Sequence, residues 1–157
     1  MIPLGLLPFP AAPPPAYTRP APVAPAAGAA LGRLVIPRVD LDATVHEGTT
    51  AAVLDRGPGH YPTSALPGRG ETVGIAGHRV THTRPFLRIN ALRKGDAIAL
   101  VTTSGRRYEY EVFTMRIVPP RQVWVLGDRG SEQLVLTACH PPTKDQLRLV
   151  VLAKRVA

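Results

Sequence analysis

Glycine and proline cut this chain into pieces too short for long helices. Between residues 32 and 157 the interruptions include Gly57-Pro58-Gly59, Pro67-Gly68-Arg69-Gly70, Gly95 and Ser104-Gly105. Each is a turn signal, because glycine supplies left-handed backbone and proline removes a backbone donor. The pieces between them read as strands: Arg33–Pro37, Leu41–Val45, Glu71–Ala76, Ala97–Val101, Arg107–Phe113, Val123–Val125, Leu134–Ala138 and Leu147–Ala153. Arg107–Phe113 alternates apolar and polar residues, as a half-buried strand does, whereas Leu147–Ala153 is nearly all apolar and belongs at the centre of a sheet. Two places favour helix. Thr49–Leu54 has Thr50 or Thr49 as N-cap, and Pro85–Leu92 has proline at its start and Gly95 beyond its end. The reading is an all-β domain, barrel or sandwich, with one or two short helices and no internal repeat.

Residues 1–31 follow a different rule. They contain half of the 18 prolines, in segments such as Pro10-Ala11-Ala12-Pro13-Pro14-Pro15 that favour polyproline II. The expectation is a flexible Pro/Ala-rich linker over 1–31 followed by one folded domain over 32–157, a length that buries a real core. Met1–Phe9 is apolar but lacks the cationic flank of a signal peptide, and no run of 18 apolar residues is present to span a bilayer.

The formal charge of +8 raises polyanions as partners. No basic run exceeds two residues and aromatic side chains are scarce, so nothing combines charge with stacking as nucleic-acid binding surfaces do. The cations are read as solvated strand faces, equally suited to an anionic cell envelope. One cysteine excludes an internal disulfide and a multi-cysteine metal site.

That cysteine closes the run Gln133-Leu134-Val135-Leu136-Thr137-Ala138-Cys139-His140-Pro141, where an apolar strand meets a polar, proline-marked loop. A lone thiol is by default an inert buried one. A reactive thiol needs a histidine or a cation beside it to stabilise the thiolate. His140 is its neighbour in sequence, but adjacent side chains of an extended strand point to opposite faces. His78, in Ala76-Gly77-His78-Arg79, follows another strand and offers an imidazole at the lip of a sheet. Arg148 is the one charged residue in Gln146-Leu147-Arg148-Leu149-Val150-Val151, and it faces solvent, an ion-pair partner or a functional cleft. A short loop joins its strand to that of Cys139, so the two can pair and share a groove.

Gly77-His78-Arg79, Arg84-Pro85-Phe86, the strand end Leu136-Thr137-Ala138-Cys139 and the arginine on the next strand together resemble the sortase family. Cys139-His140-Pro141 and Arg148-Leu149-Val150-Val151 are most similar to the actinobacterial class E members. The resemblance covers about residues 32–157 and implies an eight-stranded β-barrel. It further implies a cysteine transpeptidase that cleaves a Leu-Pro-x-Thr-Gly or Leu-Ala-x-Thr-Gly sorting signal between threonine and glycine through a thioester. Cys139 is then the nucleophile, His78 the general acid and base, and Arg148 the group that holds substrate and oxyanion. Thr137, Ala138, His140, His60 and Tyr61 are assigned to substrate binding, with neither metal nor organic cofactor. The family's usual threonine before the cysteine is here Ala138, a departure that bears on a substrate contact rather than on the nucleophile. The partners implied are surface proteins bearing a C-terminal sorting signal and an amine of a peptidoglycan precursor or a pilin, with no nucleic acid. The place of action is the outer face of the cell membrane or the cell wall, with membrane attachment through a segment outside this chain. Two other readings stay open: a non-catalytic β-barrel binding module with a spectator Cys139, and a cysteine hydrolase that passes the acyl group to water.

Overall fold

A computed structural model describes residues 24–121, 127, 130–140 and 147–157, with positions 139 and 140 described by their backbone alone. Eight strands form a closed barrel: β1 (Ala30–Ile36), β2 (Leu41–Glu47), β3 (Gly59–His60), β4 (Val73–Ala76), β5 (Ala97–Thr102), β6 (Arg107–Val118), β7 (Gln133–His140) and β8 (Leu147–Arg155). Around the barrel the order is β1-β2-β3-β4-β7-β8-β6-β5, and β1 pairs with β5 to close it. Closure removes exposed strand edges. Seven of the eight strands expected from the turn punctuation are present, several of them longer. β6 runs on from Phe113 to Val118, and its pairing with β8 shifts register between Val112 and Thr114. The expected strand Val123–Val125 lies outside the described residues.

The Gly/Pro signals on either side of His60-Tyr61-Pro62 predict a long loop there. Instead Gly59–His60 forms β3, parallel to β2 and antiparallel to β4. Glycine is needed there because a Cβ on Gly59 would lie 2.1 Å from the carbonyl oxygen of Gly48. Helix is nearly absent among the described residues. α1 (Ala51–Leu54) is one turn, with Thr50 as N-cap accepting from the Val53 backbone N–H at 3.4 Å. Within Pro85–Leu92 only a 3-10 turn forms, over Ile89–Ala91.

Inward side chains from all the longer strands fill the barrel, including Leu34, Ile75, Ile98, Tyr110, Leu136 and Val151. Phe86, Ile89 and Leu92 cap this core from the β4–β5 connection. A second cluster, Val118, Val135, Val150 and Leu152, lies on the other face of the β6–β8–β7 sheet. β7 and β8 are therefore buried on both faces, which explains their continuous apolar sequence.

Candidate active site

The candidate site lies where the parallel pair β4 and β7 ends. Ala76 pairs with Thr137, and the Gly77 N–H donates to the Thr137 carbonyl at 3.1 Å, carrying the pairing one residue beyond the strand. His78 follows at once. On the other side of β7, antiparallel β8 places Arg148 directly opposite Cys139 and Leu147 opposite His140. Two ladders thus bring residues 78, 139 and 148 to one end of three adjacent strands. His78 and Arg148 line a groove of about 280 Å³ with Thr49, Leu54, Tyr61, Ala76, Gly77, Thr137 and Ala138.

Gly77 is required by packing. A Cβ there would lie 2.6 Å from the ring of Phe86, which is fully buried, and the Phe86 N–H donates to the His78 carbonyl at 2.9 Å. The Gly77-His78 and Pro85-Phe86 motifs are two sides of one contact, which fixes the direction in which the chain leaves β4.

His78 is partly buried, and its Nε2–H donates to Asp55 Oδ1 at 3.2 Å. Asp55 caps the C-terminus of α1, its backbone N–H donating to the Ala51 carbonyl at 2.9 Å. His82 brings its own Nε2 to the same Asp55 oxygen at 3.0 Å, with its ring centroid 5.4 Å from that of His78. Asp55 is not apparent as a site residue from the sequence, and His82 is there only one of five histidines that could serve as a base. A signal existed in the His-x-x-x-His spacing of 78 and 82, but Asp55 is 23 residues away and only the fold joins them.

The residues assigned to substrate binding separate. Thr137 is buried and shares a 2.7 Å hydrogen bond with the Tyr61 hydroxyl, so both are fixed in the groove. Ala138 borders the groove, yet it is 3% exposed, packs in the barrel core and pairs with Leu149. Its small side chain is held by core space. His60 does not line this groove. It is buried, with Nδ1 2.9 Å from Glu47 Oε2 and Nε2 2.8 Å from the Ala65 carbonyl oxygen. That pair ties the loop after β3 to β2, which leaves His60 a supporting position beside Tyr61. The side chain of His140 lies outside the described residues.

A closed eight-stranded barrel whose parallel β4–β7 pair and β8 meet at one groove is the architecture of the barrel-type cysteine transpeptidases. Residues 34–156 match the Sortase domain model, and the chain belongs to the sortase family. It is 32% identical over 136 residues to Sortase D of Bacillus subtilis, covering 84% of this chain and 67% of that protein. It is 35% identical over 145 residues to Sortase SrtE1 of Streptomyces coelicolor, covering 82% of this chain but only 41% of that protein. Among solved structures, Sortase E1 from Streptomyces coelicolor with a tripeptide in the active site superposes with a TM-score of 0.78 at 31% identity, covering 83% of this chain and 90% of the other. The expected resemblance and the eight-stranded fold are both confirmed, and the class E likeness has a counterpart in SrtE1.

Proposed function

We propose that this chain is a transpeptidase that joins proteins carrying a C-terminal sorting signal to an amine of the cell wall or of a pilin, at the outer face of the membrane. The observation that carries the reading is the ladder that sets Cys139 opposite Arg148, while the parallel β4–β7 pair delivers His78 to the groove that Arg148 lines. Family membership gives the reaction class, and these residues supply its parts.

In this reading the Cys139 sulfur attacks the carbonyl carbon of the Thr–Gly bond. Electrons move onto the carbonyl oxygen, where the guanidinium of Arg148 stabilises them. Donors preorganised at such a position contribute about 3–4 kcal/mol. The C–N bond then breaks as His78 gives a proton to the leaving glycine nitrogen, and a thioester remains on Cys139. An incoming amine loses its proton to His78 and attacks the thioester carbonyl; the new amide forms and the sulfur leaves. Asp55, bonded to His78 Nε2, holds the ring in one orientation. Tyr61 and Thr137, joined to each other, present hydroxyls along the groove to an extended peptide. The second residue of the signal, proline or alanine, is a matter for a peptide panel.

Incubation with peptides of the Leu-Pro-x-Thr-Gly and Leu-Ala-x-Thr-Gly types should yield a covalent adduct, visible by intact mass, equal to the enzyme plus the fragment ending in threonine. Cys139→Ala should abolish both adduct and turnover. Turnover retained by Cys139→Ala would overturn the reading. Release of the acid alone, with an amine acceptor in excess, would favour the hydrolase.

A further inference from the structure

The triangle of Asp55, His78 and His82 is more than the catalytic reading uses. Two imidazole nitrogens converge on one carboxylate oxygen, at 3.2 and 3.0 Å, and all three ligand atoms lie within 4.8 Å of one another. Among the described residues this is the one group of three or more such side chains close enough to hold an ion. Bond lengths of about 2.0–2.2 Å from Zn²⁺ to histidine nitrogen and carboxylate oxygen place tetrahedral ligand atoms about 3.3–3.5 Å apart. The two contacts to Asp55 are already within about half an ångström of that edge, so small side-chain rotations would admit the ion.

The backbone is arranged to bring His82 there. Its φ of 53° is left-handed, uncommon for a residue other than glycine, and Arg84 shares it with φ 48°. The turn is closed by the Arg84 N–H donating to the Thr81 carbonyl at 3.0 Å. It folds residue 82 back over residue 78, whereas a chain continuing straight from β4 would carry His82 away. Two histidines and one carboxylate, all reached by solvent and with His78 at the groove, form a three-ligand set that leaves a fourth position open.

We propose that Asp55, His78 and His82 bind Zn²⁺ or a similar borderline divalent ion, and that the bound ion shuts the enzyme off by occupying His78 Nε2. The ion is an inhibitor, not a cofactor. With the ion on Nε2, the neutral ring keeps its one proton on Nδ1 and cannot take up the second proton that the acid and base steps pass between His78 and the substrate; that capacity returns when the ion dissociates. Binding stands on this geometry alone; the shut-off rests on the role given to His78 in the proposed function.

The test separates the two. Zn²⁺ is titrated calorimetrically into the full chain, into Cys139→Ala and into His82→Asn, asparagine being chosen because it tolerates left-handed backbone. One ion should bind the full chain and still bind Cys139→Ala. Loss of even an outer partner of a metal ligand costs about 10–100-fold in affinity, so His82→Asn should bind at least about tenfold more weakly. Peptide cleavage by the full chain should fall as Zn²⁺ is added and recover with a chelator, while His82→Asn should still cleave and lose this sensitivity by a similar factor. Equal zinc affinity in His82→Asn and the parent, or no binding by the parent, would overturn the site. Binding lost only with Cys139→Ala would place the ion on the thiol instead. Normal binding with undiminished cleavage would overturn the shut-off. If no peptide is cleaved at all, the functional reading fails and calorimetry still decides the site.

Discussion

Arg148 illustrates how one side chain is constrained from several directions. It shares β8 with Val150 and Leu152, which pack on the outer face of the sheet, while Leu149 and Val151 point into the barrel. The alternation therefore puts residue 148 on the outer face, where it is partly buried and borders the groove. A guanidinium presents several fixed donors, whereas an ammonium is a compact point charge. Arg148→Ala is expected to lower kcat for acyl-enzyme formation by about 100-fold or more with KM changed less, the signature of an interaction made in the transition state. Arg148→Lys should recover only part of the loss. Single-turnover kinetics followed by intact mass checks both, and an alanine variant with a normal acylation rate would remove Arg148 from the chemistry. The same scale accounts for Ala138. Its Cβ faces Leu149 across the ladder and packs in the core, so the small side chain follows from packing there.

The element that decides the site is the exit from β4. Four buried residues, Val73 to Ala76, run parallel to β7, and the chain then turns at Gly77 under the ring of Phe86. Gly77→Ala would force that ring aside and overpack the region. Overpacking of this kind costs about 1–3 kcal/mol. The expected result is a lower Tm together with a fall in cleavage larger than the stability loss explains, because the same movement displaces His78. Thermal unfolding and kcat/KM measured on one preparation test this, and unchanged activity at the lower Tm would show that His78 does not depend on the Phe86 contact. Tyr61 is positioned by the loop after β3. Its backbone N–H donates to the Gly74 carbonyl at 2.9 Å, and Ser64 donates to the Tyr61 carbonyl at 2.8 Å.

Across the whole molecule, the far side of the barrel is locked by one buried carboxylate. Glu132, 6% exposed, accepts from the Tyr110 hydroxyl at 2.6 Å, from the Gly68 and Gly70 N–H groups at 3.0 and 3.1 Å, and from Arg155 at 3.0 Å. It joins the loop before β4 to β6 and β8. Burial pushes this carboxyl up, but the Tyr110, Gly68 and Gly70 hydrogen bonds and the charge of Arg155 outweigh it and hold it below the usual glutamate range. A group depressed in the folded state stabilises fully above its unfolded pKa, about 4.3. That contribution is lost as pH falls through the folded value. Glu132→Gln is therefore expected to cost about 2–3 kcal/mol at pH 7, where hydrogen bonds to a charged acceptor are lost. It should also flatten the decline of Tm with acid below about pH 4.3. Parallel Tm-versus-pH curves for the parent and the variant would refute this if their difference stayed constant into acid.

Much of the molecule was legible in the chain because it depends on local chemistry. Glycine and proline mark the turns, the apolar runs between them mark the strands, and the unbroken apolar runs Leu134–Leu136 of β7 and Leu149–Ala153 of β8 are buried on both faces. The pairing of Cys139 with Arg148 followed from a short connection between adjacent strands. His60 shows where such reading stops: it is assigned to substrate binding, and a buried bond to Glu47, 13 residues earlier, holds it outside the groove. By itself, then, the sequence determined an all-β fold, its strands other than β3 and the antiparallel partner of the cysteine strand. Tertiary structure alone decided the parallel β4–β7 pair, the β1–β5 closure and the meeting of Asp55 with His78 and His82. The physical reason is distance along the chain. A hairpin is specified by the few residues of its turn, but a parallel pair separated by some sixty residues, or an ion pair across 23, forms only because the whole barrel must bury its apolar faces at once.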